Sequence, residues 1–365
     1  MSDENRRNLR EKKTSAEDVD WDLRERGMDA AASDLMIDAL VMLDESSFDE
    51  LVNLSGVLDA LAAVRPYRRL DMQAANIDLR KRLNIKSRGV DALLMTYLFA
   101  GLHSVSKNNM LGEVRERGGA GTFKDCLYKD ASPEFCLSIS HIFTEALADF
   151  VNPEYECVWT HHQTGGDPYC RFVFKKRSGP ASVLEDLGET VSTLPKFELP
   201  AEQIQALTIS TGALFLNENT RAFIDLHGSD KTIEILGTNA KSVGKKIGAV
   251  LALHNDELGK DAGSIGRLVH TLEKTLGQRG TFTIMSGDEC TGEITDCTQQ
   301  QFAQEQCRQF EALFDGIVSG INREYEFAYE HMMPKGDGTC RWVVRKRAER
   351  AGNEARDVAR MIIRI

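Results

Sequence analysis

Apolar side chains return every three or four residues through two long stretches of the chain, residues 33–105 and 201–276. That spacing places them on one face of an α-helix, so both stretches are predicted to be helical. Each stretch is followed by short segments predicted as β-strands. These segments are residues 121–126 in the first half of the chain, and residues 280–289 and 292–297 in the second half.

Two β-hairpins are predicted further along, where apolar and polar residues alternate on both sides of a turn. Residues 154–177 alternate around the turn sequence Gly-Gly-Asp-Pro at 165–168, and residues 324–347 repeat the pattern. A helix precedes each hairpin, over residues 132–153 and from about 299 to 321. We therefore predict the α+β class, in which an antiparallel sheet with a packed helix follows a helical segment, and the whole unit occurs twice.

The two halves of the chain share rare residue types in the same order. Cys126 and Cys136 recur 171 residues later as Cys297 and Cys307. In the hairpins the offset is 170 residues, and the recurring pairs are Tyr155/Tyr325, Glu156/Glu326, His161/His331, Asp167/Asp337, Cys170/Cys340 and Arg171/Arg341. The pattern predicts a tandem duplication in which a single-residue deletion separates the two copies.

Composition sets the boundaries around the two copies. The first residues are charged and carry few periodic apolar positions, and the segment between the copies is rich in residues that break helices and strands. We predict a mobile tail over residues 1–32, a first module over 33–177, a linker over 178–200, a second module over 201–347, and an amphipathic C-terminal helix over 348–365.

Charge and cysteine usage narrow the function classes. The chain has 365 residues and a net charge of −11, which argues against general binding to nucleic acid or to anionic membranes. No apolar run approaches the roughly 18 residues of a membrane span, and the charged N-terminal residues do not form a signal peptide. The 8 cysteines are therefore expected to be reduced thiols in a cytoplasmic protein.

Cys136 is the candidate nucleophile. Ser132 is placed to cap the helix that follows, and Pro133 suits its first position. Cys136 would then lie in the opening turn, where the helix dipole lowers the pKa of a thiol. The alternative is a thiol packed in the core, because free cysteine is among the most buried residue types.

The matching thiol of the second copy has a different local sequence. Thr298 and Gln301 are spaced as a capping box, which would place Cys307 deeper inside its helix. The spacings between cysteines fit no standard metal site, so no metal is predicted, and the sequence identifies no cofactor.

The hairpins carry further candidates. Adjacent residues of a strand face opposite sides, so His161 and His162 are not expected to act together, and His161 is the candidate because it recurs as His331. Glu156 is a candidate proton carrier early in a strand, whereas Asp167 has an alternative structural role in the turn. The candidates for ligand binding are Asp167, Cys170 and Arg171, and the equivalents in the second copy are Cys307, Glu326, His331, Asp337, Cys340 and Arg341.

Three motifs of the first copy carry a family resemblance. They are Pro-Glu-Phe-Cys at 133–136, Asn-Pro-Glu-Tyr at 152–155 and Gly-Asp-Pro-Tyr-Cys-Arg-Phe-Val-Phe at 166–174. With them the chain resembles the L-2-amino-thiazoline-4-carboxylic acid hydrolase-like family, and more widely the vinyl-reductase-type ligand-binding domains. The resemblance implies a pocket for a small molecule between sheet and helices. The second copy departs from it, with Gln-Glu-Gln-Cys at 304–307.

The resemblance implies a hydrolase that opens a cyclic C–N bond. Cys136 would attack the amidine-like carbon, Glu156 or His161 would move protons, and Arg171 would hold a carboxylate. The expected partner is thus a small anionic molecule, with neither nucleic acid nor membrane. Two alternatives stay open: a non-catalytic sensor of redox state or ligand, and an accessory subunit of a larger complex or homo-oligomer.

Overall fold

The computed structural model describes residues 28–82, 84–100, 110–177, 187–194, 200–254 and 258–347. Their contacts form two compact units. The first unit contains the described residues up to Asn239 together with Thr275–Gly277, and the second contains Ala240–Lys274 and the residues from Gln278 onward. Most of the expected N-terminal tail and the whole expected C-terminal helix lie outside the described residues.

The fold is of the predicted α+β class. Its helices are α1 (Met28–Ser55), α2 (Val57–Arg82), α3 (Val90–Ala100), α4 (Pro133–Cys136), α5 (Ile142–Val151), α6 (Ala201–His227), α7 (Ser229–His254), α8 (Ala262–Thr275) and α9 (Gln304–Ile321). The strands are β1 (Met110–Arg115), β2 (Gly118–Phe123), β3 (Tyr155–His161), β4 (Cys170–Lys176), β5 (Thr190–Thr193), β6 (Arg279–Ile284), β7 (Glu289–Asp296), β8 (Tyr325–His331) and β9 (Cys340–Lys346).

The two sheets have the same core topology. The first has the order β3-β4-β2-β1-β5 and the second the order β8-β9-β7-β6, and their neighbouring strands are antiparallel. The register matches as well: Phe123 pairs with Cys170 as Ile294 pairs with Cys340. The structure therefore contains the duplicated antiparallel sheet that the sequence predicted, although strand β1 was not among the predicted strands.

A close glycine–aromatic contact occurs at the same place in both sheets. A Cβ atom on Gly121 would lie 2.0 Å from the ring of Phe172, and one on Gly292 would lie 2.2 Å from the ring of Trp342. Only glycine leaves room for an aromatic ring to lie flat across the neighbouring strand. Gly118, Gly119 and Gly121 therefore all lie inside strand β2.

Helix α6 packs in the first unit, although the sequence placed it at the start of the second module. Phe215, Ala222 and Phe223 on α6 are buried in one apolar cluster with Phe48 of α1 and Val64 of α2. These helices precede the first sheet and have a wide apolar surface to cover. The compact units therefore divide inside α7 rather than in the segment 178–200.

Part of the expected linker is a strand. Residues 190–193 form β5, which pairs with the outer edge of β1, and Leu187 just before it is buried. A linker was expected because this segment contains breakers, and the short strand between them was not recognised. The segment adds a fifth strand, and among the described residues the second sheet contains no counterpart to it.

The one-residue difference between the copies lies in the helix before the hairpin. In the first unit α4 and α5 are joined by a π-helical turn, Leu137–His141, whereas α9 is a regular α-helix throughout. A π-turn accommodates one extra residue without ending the helix. Both helices then stop at an equivalent residue, Asn152 or Asn322, whose amide nitrogen bonds to the helix 2.9 Å away.

Candidate functional site

A narrow cavity of about 30 Å³ lies in the first unit between the sheet and the π-turn helix. Its lining residues are Tyr97, Phe123, Cys126, Tyr128, Lys129, Phe135, Cys136, Ile139, Ser140, Phe143, Gln163, Thr164 and Cys170. Such a volume holds a couple of water molecules, so in this conformation the cavity admits one small group of a ligand. The lining brings together Cys136 and Cys170, which the sequence singled out.

Cys136 lies in the opening turn of its helix, as predicted. The side chain of Ser132 accepts a hydrogen bond from the amide of Phe135 at 3.1 Å, and Pro133 occupies the first turn. The π-turn begins directly after the cysteine. The half-buried Cys136 Sγ lies 3.7 Å from Ser140 Oγ and 3.5 Å from His162 Nδ1. The thiol is thus paired with an imidazole that the sequence did not select.

A β-bulge explains why His162 and not His161 reaches the thiol. The pairing of β3 with β4 shifts register between Trp159 and His161. One extra residue reverses the alternation of side chains that follows it. The side chain of His162 therefore lies on the same face of the sheet as that of Trp159. The two rings stack with centroids 5.2 Å apart. The two histidines make separate contacts, as expected, but the choice of His161 as the candidate was wrong because the bulge brings His162 to Cys136 instead.

The second histidine of the site comes from the π-turn. His141 stacks on His162, with ring centroids 5.3 Å apart, and their Nε2 atoms lie 3.4 Å apart. If His162 donates from Nε2 to His141, its Nδ1 is left as an acceptor facing the thiol. The extra residue between Cys136 and Asn152 is the one feature of the sequence that points to His141.

Burial determines the protonation states of Cys136, His141 and His162. The pKa of the Cys136 thiol is raised from its ordinary value by burial, although hydrogen bonds from Ser140 and Thr164 act against the rise. The expectation that the helix start would lower this pKa is therefore wrong, because loss of solvent outweighs the dipole. Burial also lowers the pKa of His162, and lowers that of His141 to about 4. A neutral thiol thus faces a neutral imidazole at pH 7.

Two further thiols of the cavity interact with each other. Hydrogen bonding from Cys126 lowers the pKa of Cys170, and the same contact together with burial raises the pKa of Cys126. Gln163 contacts both residues, since its side-chain Oε1 accepts from the backbone amide of Cys126 at 3.0 Å and its backbone amide donates to Cys170 Sγ at 3.4 Å. Cys126 and Cys170 therefore form a thiol pair beside Cys136.

Other predicted residues lie outside the cavity lining. His161 contacts Thr160 and the ring of Tyr169, and Glu156 pairs with Lys175 at 3.3 Å. The geometry does not bring either one to Cys136.

Arg171 and Asp167 have structural contacts. Arg171 donates to Thr122 at 3.1 Å and lies 3.5 Å from the carboxylate of Glu113, so its guanidinium is engaged away from the thiol. Asp167 accepts from the amide of His162 at 2.7 Å and Gly166 has a φ of 97°, which is the turn role that the sequence left open.

The second unit has the thiols of the site without its imidazoles. Cys297, Cys307 and Cys340 line a cavity of about 20 Å³, and the position of His162 is occupied by buried Met332. Burial raises the pKa of Cys307 to about 12. The predicted capping box is absent, because α9 begins at Gln304 after Ala303, so Cys307 also lies in an opening turn.

Among the remaining second-copy candidates, Asp337, Cys340 and Glu326 repeat the contacts of the first copy, whereas Arg341 has a different partner. Asp337 accepts from the amide of Met332 at 2.8 Å, and the amide of Met333 donates to Cys340 at 3.1 Å. Glu326 pairs with Arg345 at 2.9 Å, Arg341 pairs with Glu330 at 3.2 Å, and exposed His331 lies opposite Arg341. Cys340 lines the cavity of the second unit, whereas Glu326, His331, Asp337 and Arg341 are not among its lining residues.

The first cavity therefore offers a nucleophile with a proton acceptor.

Within the described residues no cluster of three or more His, Cys, Asp or Glu side chains is arranged to hold a metal ion. Among the described helices, none combines the length and apolarity needed to cross a membrane. No family model, no curated protein and no solved structure matches the chain.

Proposed function

We propose that the first unit is a cysteine-dependent hydrolase that opens a cyclic C–N bond in a small anionic molecule. The observation that carries the proposal is the 3.5 Å contact between Cys136 Sγ and His162 Nδ1 at a cavity wall. A thiol and an imidazole in hydrogen-bond reach are the minimum for nucleophilic catalysis with a general base. The resemblance of residues 133–136 and 166–174 to the aminothiazoline-carboxylate hydrolases supports the choice of substrate.

The neutral pair determines the order of proton transfers. As Cys136 Sγ bonds to the amidine-like carbon, its proton passes to His162 Nδ1. The ring C–N bond then breaks, and the departing nitrogen takes that proton from His162. Water attacks the same carbon, gives a proton to His162, and the carbon–sulfur bond breaks as the proton returns to the thiol. His162 replaces Glu156 and His161 as the base of this mechanism.

Lys129 of the cavity lining replaces Arg171 as the anion-binding residue of this mechanism. Lys129 is exposed and forms part of the cavity wall, whereas Arg171 is engaged with Glu113. The small cavity would take the reacting carbon and its nitrogen, and a carboxylate would stay near the mouth beside Lys129.

The test is turnover of 2-amino-thiazoline-4-carboxylate, followed by mass spectrometry of the opened ring. Both Cys136→Ser and His162→Met should lower kcat/KM at least about a hundredfold, the usual contribution of a nucleophile or base. The matched controls are Cys307→Ser and His161→Ala, which should stay within about twofold. Turnover that survives Cys136→Ser in a folded protein would refute the hydrolase.

A redox sensor is the second candidate, and the paired thiols Cys126 and Cys170 favour it. Hydrogen peroxide would oxidise them to one disulfide, with two waters formed and both thiol protons consumed. In that case peroxide treatment should add a Cys126–Cys170 crosslink in peptide mapping, while the aminothiazoline substrate stays intact. Turnover without the crosslink would favour the hydrolase instead.

A further inference from the structure

The second unit contains a helix crossing at which two backbones touch. Gly244 and Gly248 of α7 face Gly316 and Gly320 of α9. A Cβ atom on Gly244 would lie 2.1 Å from the carbonyl oxygen of Leu313, and one on Gly320 would lie 2.5 Å from that of Lys245. Glycines four apart lie on one helix face and permit such an approach. The crossing fixes the backbone of α7 against the C-terminal half of α9.

A cavity of about 450 Å³ opens beside this crossing, far larger than the thiol cavities. It is lined by Lys241, Lys245, Ala249, Ser319, Gly320, Arg323 and Arg347. We call it the cationic pocket. Its volume lies within the range of small-molecule sites, roughly 300 to 1,000 Å³.

The positive charge of the cationic pocket is only partly balanced. Asp315 pairs with Lys241 at 2.5 Å and lies 3.7 Å from Arg347. In the part of the chain that the structure describes, Lys245 and Arg323 have no carboxylate within 4.0 Å. Cations gathered without matching carboxylates repel each other, and an anion bound among them removes that cost.

We propose that the cationic pocket binds a phosphate-bearing anion, held by Lys245 and Arg323 with Lys241 and Arg347 at its sides. Phosphate carries two negative charges and several acceptor oxygens, which suits several lysine and arginine donors better than a single carboxylate does. The site is independent of Cys136 and its chemistry.

Calorimetric titration of the full chain with pyrophosphate tests the proposal. Wild-type protein should bind one pyrophosphate, and affinity should fall as salt rises from about 50 to 300 mM, since the contact is ionic. The double variant K245A/R323A should weaken binding at least tenfold. Lys246→Ala is the matched control, because Lys246 is the next residue of α7 and does not line the pocket.

Two results would overturn the proposal. One is the absence of binding heat at millimolar pyrophosphate, with no rise in the melting temperature of the protein. The other is equal weakening by Lys246→Ala and by K245A/R323A, which would show only diffuse attraction to basic residues. Cys136→Ser should leave pyrophosphate binding unchanged, so failure here and failure of the hydrolase can be told apart.

Discussion

A buried carboxyl group in each unit is expected to hold a proton near neutral pH. These groups are Asp44 and Glu273. Burial raises the pKa of Asp44 to about 7, although the nearby Arg68 acts against the rise. Burial likewise raises the pKa of Glu273 to about 8. Glu273 accepts hydrogen bonds from Trp342 Nε1 at 2.5 Å and from the Tyr329 hydroxyl at 3.3 Å. Each group is protonated when folded at a pH where the unfolded chain is ionised.

The free energy of unfolding should therefore fall as pH rises from 6.5 to 8.5, by about 2 kcal/mol. The folded state binds more protons than the unfolded state in this window, and that advantage disappears as pH passes the raised pKa values. Burial lowers the pKa values of His141 and His162, so these groups make the free energy of unfolding rise with pH. They do so only below the ordinary histidine pKa of 6.5. Urea unfolding at several pH values measures the trend.

Glu273→Gln supplies the comparison. The amide keeps an acceptor for Trp342 and cannot ionise, so the fall in stability between pH 7 and 8.5 should shrink by more than half. An unchanged pH dependence in this variant would show that Glu273 is already ionised in the folded protein.

Residue identity alone predicted part of the site. Ser132, Pro133 and Cys136 are neighbours in sequence, so the cap and the opening turn followed from local rules. His162 could not be predicted, because its side-chain direction depends on a bulge that only the pairing of β3 with β4 reveals. The pKa of Cys136 was mispredicted for a similar reason, since burial depends on residues distant in sequence.

At the scale of elements, the π-turn Leu137–His141 distinguishes the two copies. The π-turn places Ser140 beside Cys136 and His141 beside His162. The helix α9 is regular and contains no such turn. Helices and hairpins were predictable from local periodicity. Strand β5 and the true start of α9 were not, because short exposed strands and uncapped helix starts leave little pattern in the sequence.

Deletion of Leu137 should convert the first helix to the regular form seen in α9. Leu137 is exposed, so its loss removes little core packing. One residue fewer removes the wide turn that carries Ser140 and His141, so both side chains lose their contacts with Cys136 and His162, while Cys136 takes the place that Cys307 has in α9. We expect unchanged far-ultraviolet circular dichroism and loss of aminothiazoline turnover. A deletion variant that keeps full turnover would show that the π-turn has no part in the site.

For the whole molecule, the duplication does not coincide with the folding units. The repeat covers the sheet and its helix, whereas α6 belongs with α1 and α2 of the first unit through the buried Phe215 and Phe223. Residue periodicity predicted that α6 is a helix but not which core it enters. The core that α6 enters can be assigned only when it is known which apolar faces of the other helices are left uncovered.

A fragment of residues 1–239 should therefore fold, and a fragment of residues 1–199 should not. The shorter fragment lacks α6 and exposes the apolar faces of α1 and α2. Thermal unfolding followed by circular dichroism should be cooperative for the longer fragment and broad for the shorter one. Cooperative unfolding of both fragments would restore the boundary that the sequence placed in the linker.

Strand β5 has a consequence for the solubility of the two units. It covers the outer edge of β1, while the described strands give the equivalent β6 a single neighbour, β7. The end of β6 and the residue after it, Ile284 and Met285, are largely exposed. An open edge with apolar side chains is a template for strands of other molecules. Self-association at high protein concentration should therefore begin at β6, whose outer edge pairs with none of the described strands.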